Sequence, residues 1–97
     1  MKYTRRNIYF HELIGLEVEV IDHTDPTLRS VKGLVVDETK NTLRILTPSG
    51  EEKVIPKHGS KFLFKLPKTI SVEVLGDLII GRPEERLKRV KRGGRYE

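Results

Sequence analysis

The sequence predicts an all-β fold, a small antiparallel barrel of about six strands with a short helix at each end. Three observations predict it. Short runs of alternating apolar and polar residues recur at tight spacing, and Gly, Pro, Asn and Asp separate them. Little sequence of helical period lies between the runs. The chain has 97 residues, enough for one modest hydrophobic core, so we expect a single barrel domain.

The central hairpin is the element around which the other strands are arranged. Two runs rich in Val, Leu and Ile, 31–36 and 43–47, flank a polar segment, which is typical of a β-hairpin. Gly33 inside the first run permits a bulge or the sharp bend of a small barrel. Asp37 and Asn41 have side chains that bond nearby backbone amides. We therefore assign Gly33, Asp37 and Asn41 as structural turn residues.

The remaining elements follow in chain order. Residues 7–14 predict a short helix, because Asn7 suits a helix cap and Gly15 a helix stop. Residues 16–22 alternate strictly between apolar and polar side chains and are the clearest strand. Further strands are predicted at 52–55, 61–66, 69–74 and, as a possible seventh, 78–80.

The end of the chain changes to a helical pattern. From Arg82 onward, a proline and two glutamates are followed by a run of bases and then by two glycines. Proline and acids suit the first turn of a helix, bases suit the last turn, and glycine suits the stop. This pattern predicts a C-terminal helix of the kind that lies on the globule with most of its surface in water.

The net charge of +5 is unevenly distributed. Residues 1–6 carry three bases and no acid, residues 7–81 nine bases and eleven acids, and residues 82–97 seven bases and three acids. The predicted organisation is a basic N-terminal arm at 1–6, the barrel at 7–81, and a basic C-terminal helix and tail at 82–97. Positive charge concentrated at chain ends indicates a polyanionic partner, although charge alone does not separate RNA from DNA.

Several classes of function find no support in the sequence. There is no cysteine, which excludes disulfides and thiolate metal sites, and an intracellular, cytoplasmic protein is expected. His11-Glu12 begins like a metalloprotease helix but lacks the second histidine, and no nucleophile or cofactor motif is present. Asp37 could act as a catalytic acid, but a hairpin carboxylate is more often a turn former. We expect no catalytic residue, no metal site and no cofactor.

The basic residues have two interpretations. Charged residues usually form a solvated surface, but here three separate stretches rich in bases, 1–6, 53–72 and 82–97, favour nucleic acid. Phe62 and Phe64 could stack on nucleobases. Their alternation with lysines instead favours a position in the hydrophobic core. The residues expected to contact phosphate are Arg5, Arg6, Lys57, Lys61, Lys65, Arg86, Lys88, Arg89 and Arg92.

Several motifs together resemble one protein family. The run 33–43, preceded by 11–16 and followed by Gly76-Asp77 and 82–86, resembles the archaeal ribonuclease P protein component 1 family, the counterpart of a eukaryotic ribonuclease P and MRP subunit. The resemblance implies an Sm-like barrel, of the Sm/SH3 class. It also implies a non-catalytic protein of a ribonucleoprotein whose RNA removes the 5′ leader of precursor tRNA.

The resemblance further implies two partners, the ribonuclease P RNA and a zinc-ribbon protein subunit of the same enzyme, to which any zinc would belong. The acidic, apolar N-terminal part is either the surface for that subunit or a lid on the barrel. The candidate partner-binding residues are Ile8, Phe10, Leu13, Ile14, Leu16 and Val18.

Two alternatives remain open, a free-standing Sm-like RNA-binding chaperone and a nuclease in its own right. Asp37 and Asn41 have the spacing of the first Sm motif, but the second motif is not evident. We therefore expect a monomer in isolation rather than a ring.

Overall fold

Six antiparallel strands form one sheet in the computed structural model, which describes residues 7–67 and 70–86. The strands are β1 (Glu17–His23), β2 (Lys32–Glu38), β3 (Thr42–Leu46), β4 (Glu52–Pro56), β5 (Ser60–Lys65) and β6 (Ser71–Leu75). Their order across the sheet is β4-β3-β2-β1-β5-β6. This arrangement confirms the predicted all-β class and strand number.

A single hydrophobic core lies on the inner face of the sheet. The alternation predicted from the sequence holds in β5, in β6 and in β1 as far as Val20, where every second side chain is buried. A register shift between Val20 and Asp22 then places His23 inside. Phe62 and Phe64 are fully buried, and their ring centroids lie 5.7 Å apart. They are core residues, which decides against the base-stacking alternative.

β2 departs from a regular strand at two places. At Gly33 an added Cβ would lie 2.0 Å from the carbonyl oxygen of Leu46, so only glycine allows this approach of β2 to β3. Between Val35 and Asp37 the pairing of β2 with β3 shifts register. This bulge reverses the alternation, so that Glu38 faces the interior.

The tight turn between β2 and β3 is held by threonines. Thr42 donates its backbone N–H to Thr39 Oγ1 at 3.0 Å, and the two hydroxyls lie 2.6 Å apart. Of the residues assigned to this turn, Asp37 accepts the Glu38 backbone N–H at 2.9 Å. Asn41 contributes its carbonyl, which accepts from the Lys57 N–H at 2.8 Å.

The N-terminal helix is shorter than expected. Instead of a helix over 7–14, the chain forms a 3-10 turn at Asn7–Phe10. Ile8 and Leu13 are both fully buried although they lie five positions apart in the sequence. That spacing would put the two side chains on different faces of an α-helix, so burying both requires an irregular segment.

The segment after β6 also differs from the prediction. The run 78–80, predicted as a possible strand, belongs mainly to a 3-10 helix at Gly76–Ile79, in which Ile79 is buried and Leu78 is 54% exposed. Beyond it, residues 83–86 are helical and Arg86 N–H bonds the Arg82 carbonyl at 3.0 Å. The rest of the predicted C-terminal helix lies outside the described residues.

Candidate nucleic-acid interface

Three charged side chains lie together in the interior at one end of the barrel. Glu38, at the end of β2, meets Lys57, just after β4, and Arg86, in the final described helical turn. The exposed fractions of their side chains are 0%, 0% and 2%. We call these three side chains the corner cluster.

Lys57 joins three parts of the chain. Its Nζ donates to Glu38 Oε2 at 2.7 Å, to the Thr39 carbonyl at 2.9 Å and to the Gly81 carbonyl at 2.9 Å. The Lys40 carbonyl lies at 3.2 Å from the same nitrogen. The ammonium thus ties the β2–β3 turn to the segment that follows β6.

Arg86 makes a wider set of bonds. Its Nη1 donates to Glu38 Oε2 and, at 2.7 Å, to the Gly81 carbonyl. Its Nε and Nη2 donate to the carbonyls of Tyr9 and His11, each at 2.6 Å. A planar guanidinium with five donors suits this task, because one rigid group satisfies several acceptors at fixed angles.

These contacts correct the prediction for two of the nine proposed phosphate-binding residues. Lys57 and Arg86 are enclosed and paired with Glu38, so neither presents its charge to a phosphate. Burying a cation is unfavourable unless a carboxylate and further acceptors compensate it, and the corner cluster supplies both. Among residues 7–67 and 70–86, the other carboxylate oxygen, Glu38 Oε1, is buried and has no hydrogen-bond partner.

Two other predicted residues, Lys61 and Lys65, stand on the outer face of β5. Lys65 is exposed, and its Nζ lies 3.9 Å from Glu17 Oε1 across the β1–β5 pair. Lys61 is half-buried and pairs in register with Asp22 of β1 and Leu75 of β6. Both lysines can reach solvent, but each has an acid beside it.

An open groove of about 620 Å³ crosses this outer face near Gly33. Its walls include two acids, Glu17 and Glu19, and two bases, Lys32 and Lys65, around apolar side chains. The charges on the groove walls balance, so it has no net attraction for a polyanion.

The excess of positive over negative charge lies outside the described residues. Residues 7–67 and 70–86 contain ten bases and thirteen acids, whereas residues 1–6 and 87–97 together contain eight bases and one acid. We call 1–6 and 87–97 the basic segments. The predicted phosphate-binding residues Arg5, Arg6, Lys88, Arg89 and Arg92 all belong to them.

The predicted partner-binding residues are mostly part of the core. Ile8 and Leu13 are fully buried, and Leu16 and Val18 are nearly so, which corrects the expectation that they face a partner. A lean core explains this, because the barrel needs these side chains to fill its interior. Ile14 is 41% exposed, whereas the side chain of Phe10 lies outside the described part of the structure.

Within residues 7–67 and 70–86, His, Asp and Glu side chains form no group that could hold a metal ion. In the same residues no helix is long and apolar enough to cross a bilayer.

The hydroxyl of Thr27 donates to Asp25 Oδ1 at 2.7 Å, and this bond lowers the pKa of the carboxyl. Burial lowers the pKa of His11. Neither shift has a nucleophile or substrate pocket associated with it in the described residues.

Comparisons with known proteins all match the same protein family. A family model described as ribonuclease P/MRP, subunit p29, matches residues 6–89. The ribonuclease P protein component 1 of Methanocaldococcus jannaschii is 54% identical over 86 residues, covering 89% of this chain and 90% of that protein. The same-named protein of Staphylothermus marinus is 47% identical over 92 residues, covering 95% of this chain and 100% of that protein.

A solved structure agrees with the family match. It is that of Mth11, described as a homologue of the human RNase P protein Rpp29, and it is 43% identical to this chain. The two superpose with a TM-score of 0.59, covering 78% of this chain and 97% of that chain. The chain belongs to the p29 family of ribonuclease P protein subunits.

Proposed function

We propose that this ribonuclease P subunit binds the RNA of the enzyme and supports removal of the 5′ leader from precursor tRNA without supplying a catalytic residue. The separation of charge is the observation that carries the proposal. The described barrel has more acids than bases, whereas the basic segments have eight bases and one acid. Such segments neutralise phosphate repulsion, which stabilises a folded RNA and lowers its requirement for magnesium.

The proposed phosphate contacts exclude the two buried bases. They are Arg5, Arg6, Lys61, Lys65, Lys88, Arg89 and Arg92. Contacts to phosphate provide affinity that depends on salt and fix an orientation, but they read no sequence. The barrel would therefore hold the basic segments in position, and the RNA would perform the cleavage.

The proposal includes a protein partner, the zinc-ribbon subunit of ribonuclease P, and the cytoplasm as the place of action. The family resemblance supports the partner, and the absence of cysteine supports the location. Ile14 is an exposed apolar residue of the N-terminal part and is a candidate contact for that subunit. Its apolar neighbours in sequence serve the core of this chain instead.

Reconstitution tests the proposal. The cognate ribonuclease P RNA is transcribed, and cleavage of a precursor tRNA is followed as magnesium is lowered, with and without this protein and the zinc-ribbon subunit. We expect the protein to bind the RNA and to move cleavage to lower magnesium. An unrelated RNA of the same length is the control for general charge neutralisation. Cleavage by the protein without RNA, or no effect of the protein on the RNA, would contradict the proposal.

A further inference from the structure

We infer that Lys40 and Arg82 form a phosphate-binding site on the surface of the barrel, beside the corner cluster. The inference rests on the proposed function and deepens it, because it gives the RNA a point of contact on the described barrel itself. Neither residue belongs to the bases that the sequence pattern assigns to phosphate.

A backbone hydrogen bond at the corner cluster brings the two residues together. The Gly81 N–H donates to the Lys40 carbonyl at 2.7 Å, so the β2–β3 turn lies against the segment that leads into residue 82. Consecutive Cα atoms are about 3.8 Å apart, and Arg82 directly follows Gly81. The long side chains of Lys40 and Arg82 therefore start close enough to reach the same short stretch of RNA backbone.

The corner cluster holds both pieces of backbone in place. Lys57 Nζ donates to the Lys40 carbonyl at 3.2 Å and to the Gly81 carbonyl at 2.9 Å. The Gly81 carbonyl also accepts from Arg86 Nη1 at 2.7 Å. These bonds are charge-assisted and at least partly buried, which makes them stronger than bonds that water can replace. The two exposed bases are therefore carried on backbone that has one fixed arrangement.

The charges of Lys40 and Arg82 are not neutralised by a pairing acid. Both side chains are exposed, and among residues 7–67 and 70–86 neither forms an ion pair or a side-chain hydrogen bond. Lys32, by contrast, lies opposite Glu19 in the register of β1 with β2. An exposed cation without a pairing acid keeps its full charge available to phosphate.

The surroundings of the two bases have an excess of positive charge. The corner cluster contains two cations and one carboxylate, so it is not neutral. Two acids, Glu84 and Glu85, are close to Arg82 in sequence, and Glu85 Oε1 accepts the Arg82 backbone N–H at 3.0 Å. With these acids counted, the site and the cluster have four bases and three acids, whereas the described chain has ten bases and thirteen acids. Because salt screens a buried charge less than an exposed one, the cluster adds to the attraction for phosphate.

The two side chains suit a phosphate group in different ways. The planar guanidinium of Arg82 can donate two parallel N–H bonds to two phosphate oxygens, whereas the ammonium of Lys40 is a compact charge on a flexible stem. Contacts of this kind fix an orientation and read no sequence. The site therefore orients the RNA on the barrel and leaves its sequence unread.

The test compares two double substitutions that remove the same charge. Lys40→Gln/Arg82→Gln removes the site, and Lys32→Gln/Lys53→Gln removes two exposed bases from other parts of the barrel. Affinity of the full chain for a transcript of the cognate ribonuclease P RNA is measured by filter binding over a range of salt concentrations. Circular dichroism and urea denaturation check that each variant is folded.

We expect Lys40→Gln/Arg82→Gln to weaken binding roughly 25- to 60-fold at about 0.1 M salt and to flatten the log–log salt slope by roughly 1.4–1.8, the effect of two lost phosphate contacts. The control should change neither quantity. Equal losses in the two variants, or no loss in the first, would overturn the inference and leave the proposed function standing. If the wild-type chain has no salt-dependent affinity for this RNA, the proposed function fails and the inference with it.

Crosslinking locates the contact without removing either base. The chain has no cysteine, so Asn41→Cys and Ser49→Cys can each carry a single photoactivatable azidophenacyl group at an exposed position. Residue 41 lies beside the site, whereas residue 49 lies beyond the opposite end of β3. We expect crosslinks to the ribonuclease P RNA from position 41 and none from position 49. Equal crosslinking from the two positions would overturn the inference.

Discussion

The bases inside the barrel and the bases of the basic segments have the same chemistry but lie in parts of the chain with opposite charge balance. Lys57 and Arg86 are enclosed with a shared carboxylate and several carbonyls. The basic segments carry eight bases and one acid. The difference teaches that a base has a structural role here when a buried carboxylate neutralises it. Lys57 and Arg86 hold the fold together, whereas the bases of the basic segments are those that we propose contact RNA.

The largest effect that would sharpen this comparison is expected for Glu38→Gln. The substitution keeps the shape of the side chain but leaves two buried cations without a counter-charge. We expect the free energy of unfolding, measured by urea denaturation, to fall by about 3–5 kcal/mol. Glu73→Gln on the exposed face of β6 is the matched control and should change it by about 0.5 kcal/mol or less. Equal effects of the two substitutions would mean that the corner cluster does not stabilise the fold.

A smaller loss is expected for Lys57→Met. Methionine has a similar length and leaves Glu38 paired with Arg86, but the carbonyls of Thr39 and Gly81 lose a donor. We expect a destabilisation of about 2 kcal/mol in urea denaturation. Lys53→Met in β4 removes an exposed lysine from the same stretch of sequence and should cost about 0.5 kcal/mol or less. Stability that is insensitive to Lys57→Met would show that the lysine is not needed inside.

His11 predicts a pH dependence at the same corner. Burial lowers its pKa in the folded protein from the usual 6.5, so the unfolded chain takes up a proton more readily. Stability should therefore fall as the pH drops below about 6.5 towards the lowered pKa, and the histidine should have no effect above that range. Unfolding free energies of wild type and His11→Gln, compared across this range, isolate the contribution. Parallel pH profiles would refute it.

The smallest effect is expected at the outer face. Lys65 and Glu17 form an ion pair of 3.9 Å between exposed side chains, and such pairs contribute about 0–1 kcal/mol. Lys65→Gln should leave the midpoint of urea denaturation almost unchanged. A loss comparable with that of Lys57→Met would erase the distinction between interior and surface bases.

The strands could be predicted from the sequence because one-sided burial imposes alternation. Leu16 to Asp22 and Lys61 to Leu66 show this clearly, and β1 and β5 form there. The corner cluster could not be predicted, because Glu38 faces inward only as a result of the bulge in β2, where the pairing of β2 with β3 shifts register. Without that bulge, alternation from Val35 would place Asp37 inside instead.

Three other predictions failed for physical reasons. A lysine that will be buried looks like any other lysine in sequence, because its partner Glu38 is distant along the chain. The apolar residues near the N-terminus were ambiguous because a core and a partner surface require the same side chains. In the structure, tertiary packing buries Ile8 and Leu13 in the core. The short run 78–80 had too few residues to separate a strand from a 3-10 helix.

The most direct test of the account is the salt dependence of binding to the ribonuclease P RNA. One variant neutralises three bases of the second basic segment, and a control neutralises three exposed bases of the barrel. The variants are Lys88→Gln/Arg89→Gln/Arg92→Gln and Arg29→Gln/Lys32→Gln/Lys53→Gln. The account predicts that the first weakens binding and flattens the log–log salt slope by roughly 0.7–0.9 per lost contact, while the second changes neither. Equal slopes for the two variants would contradict it.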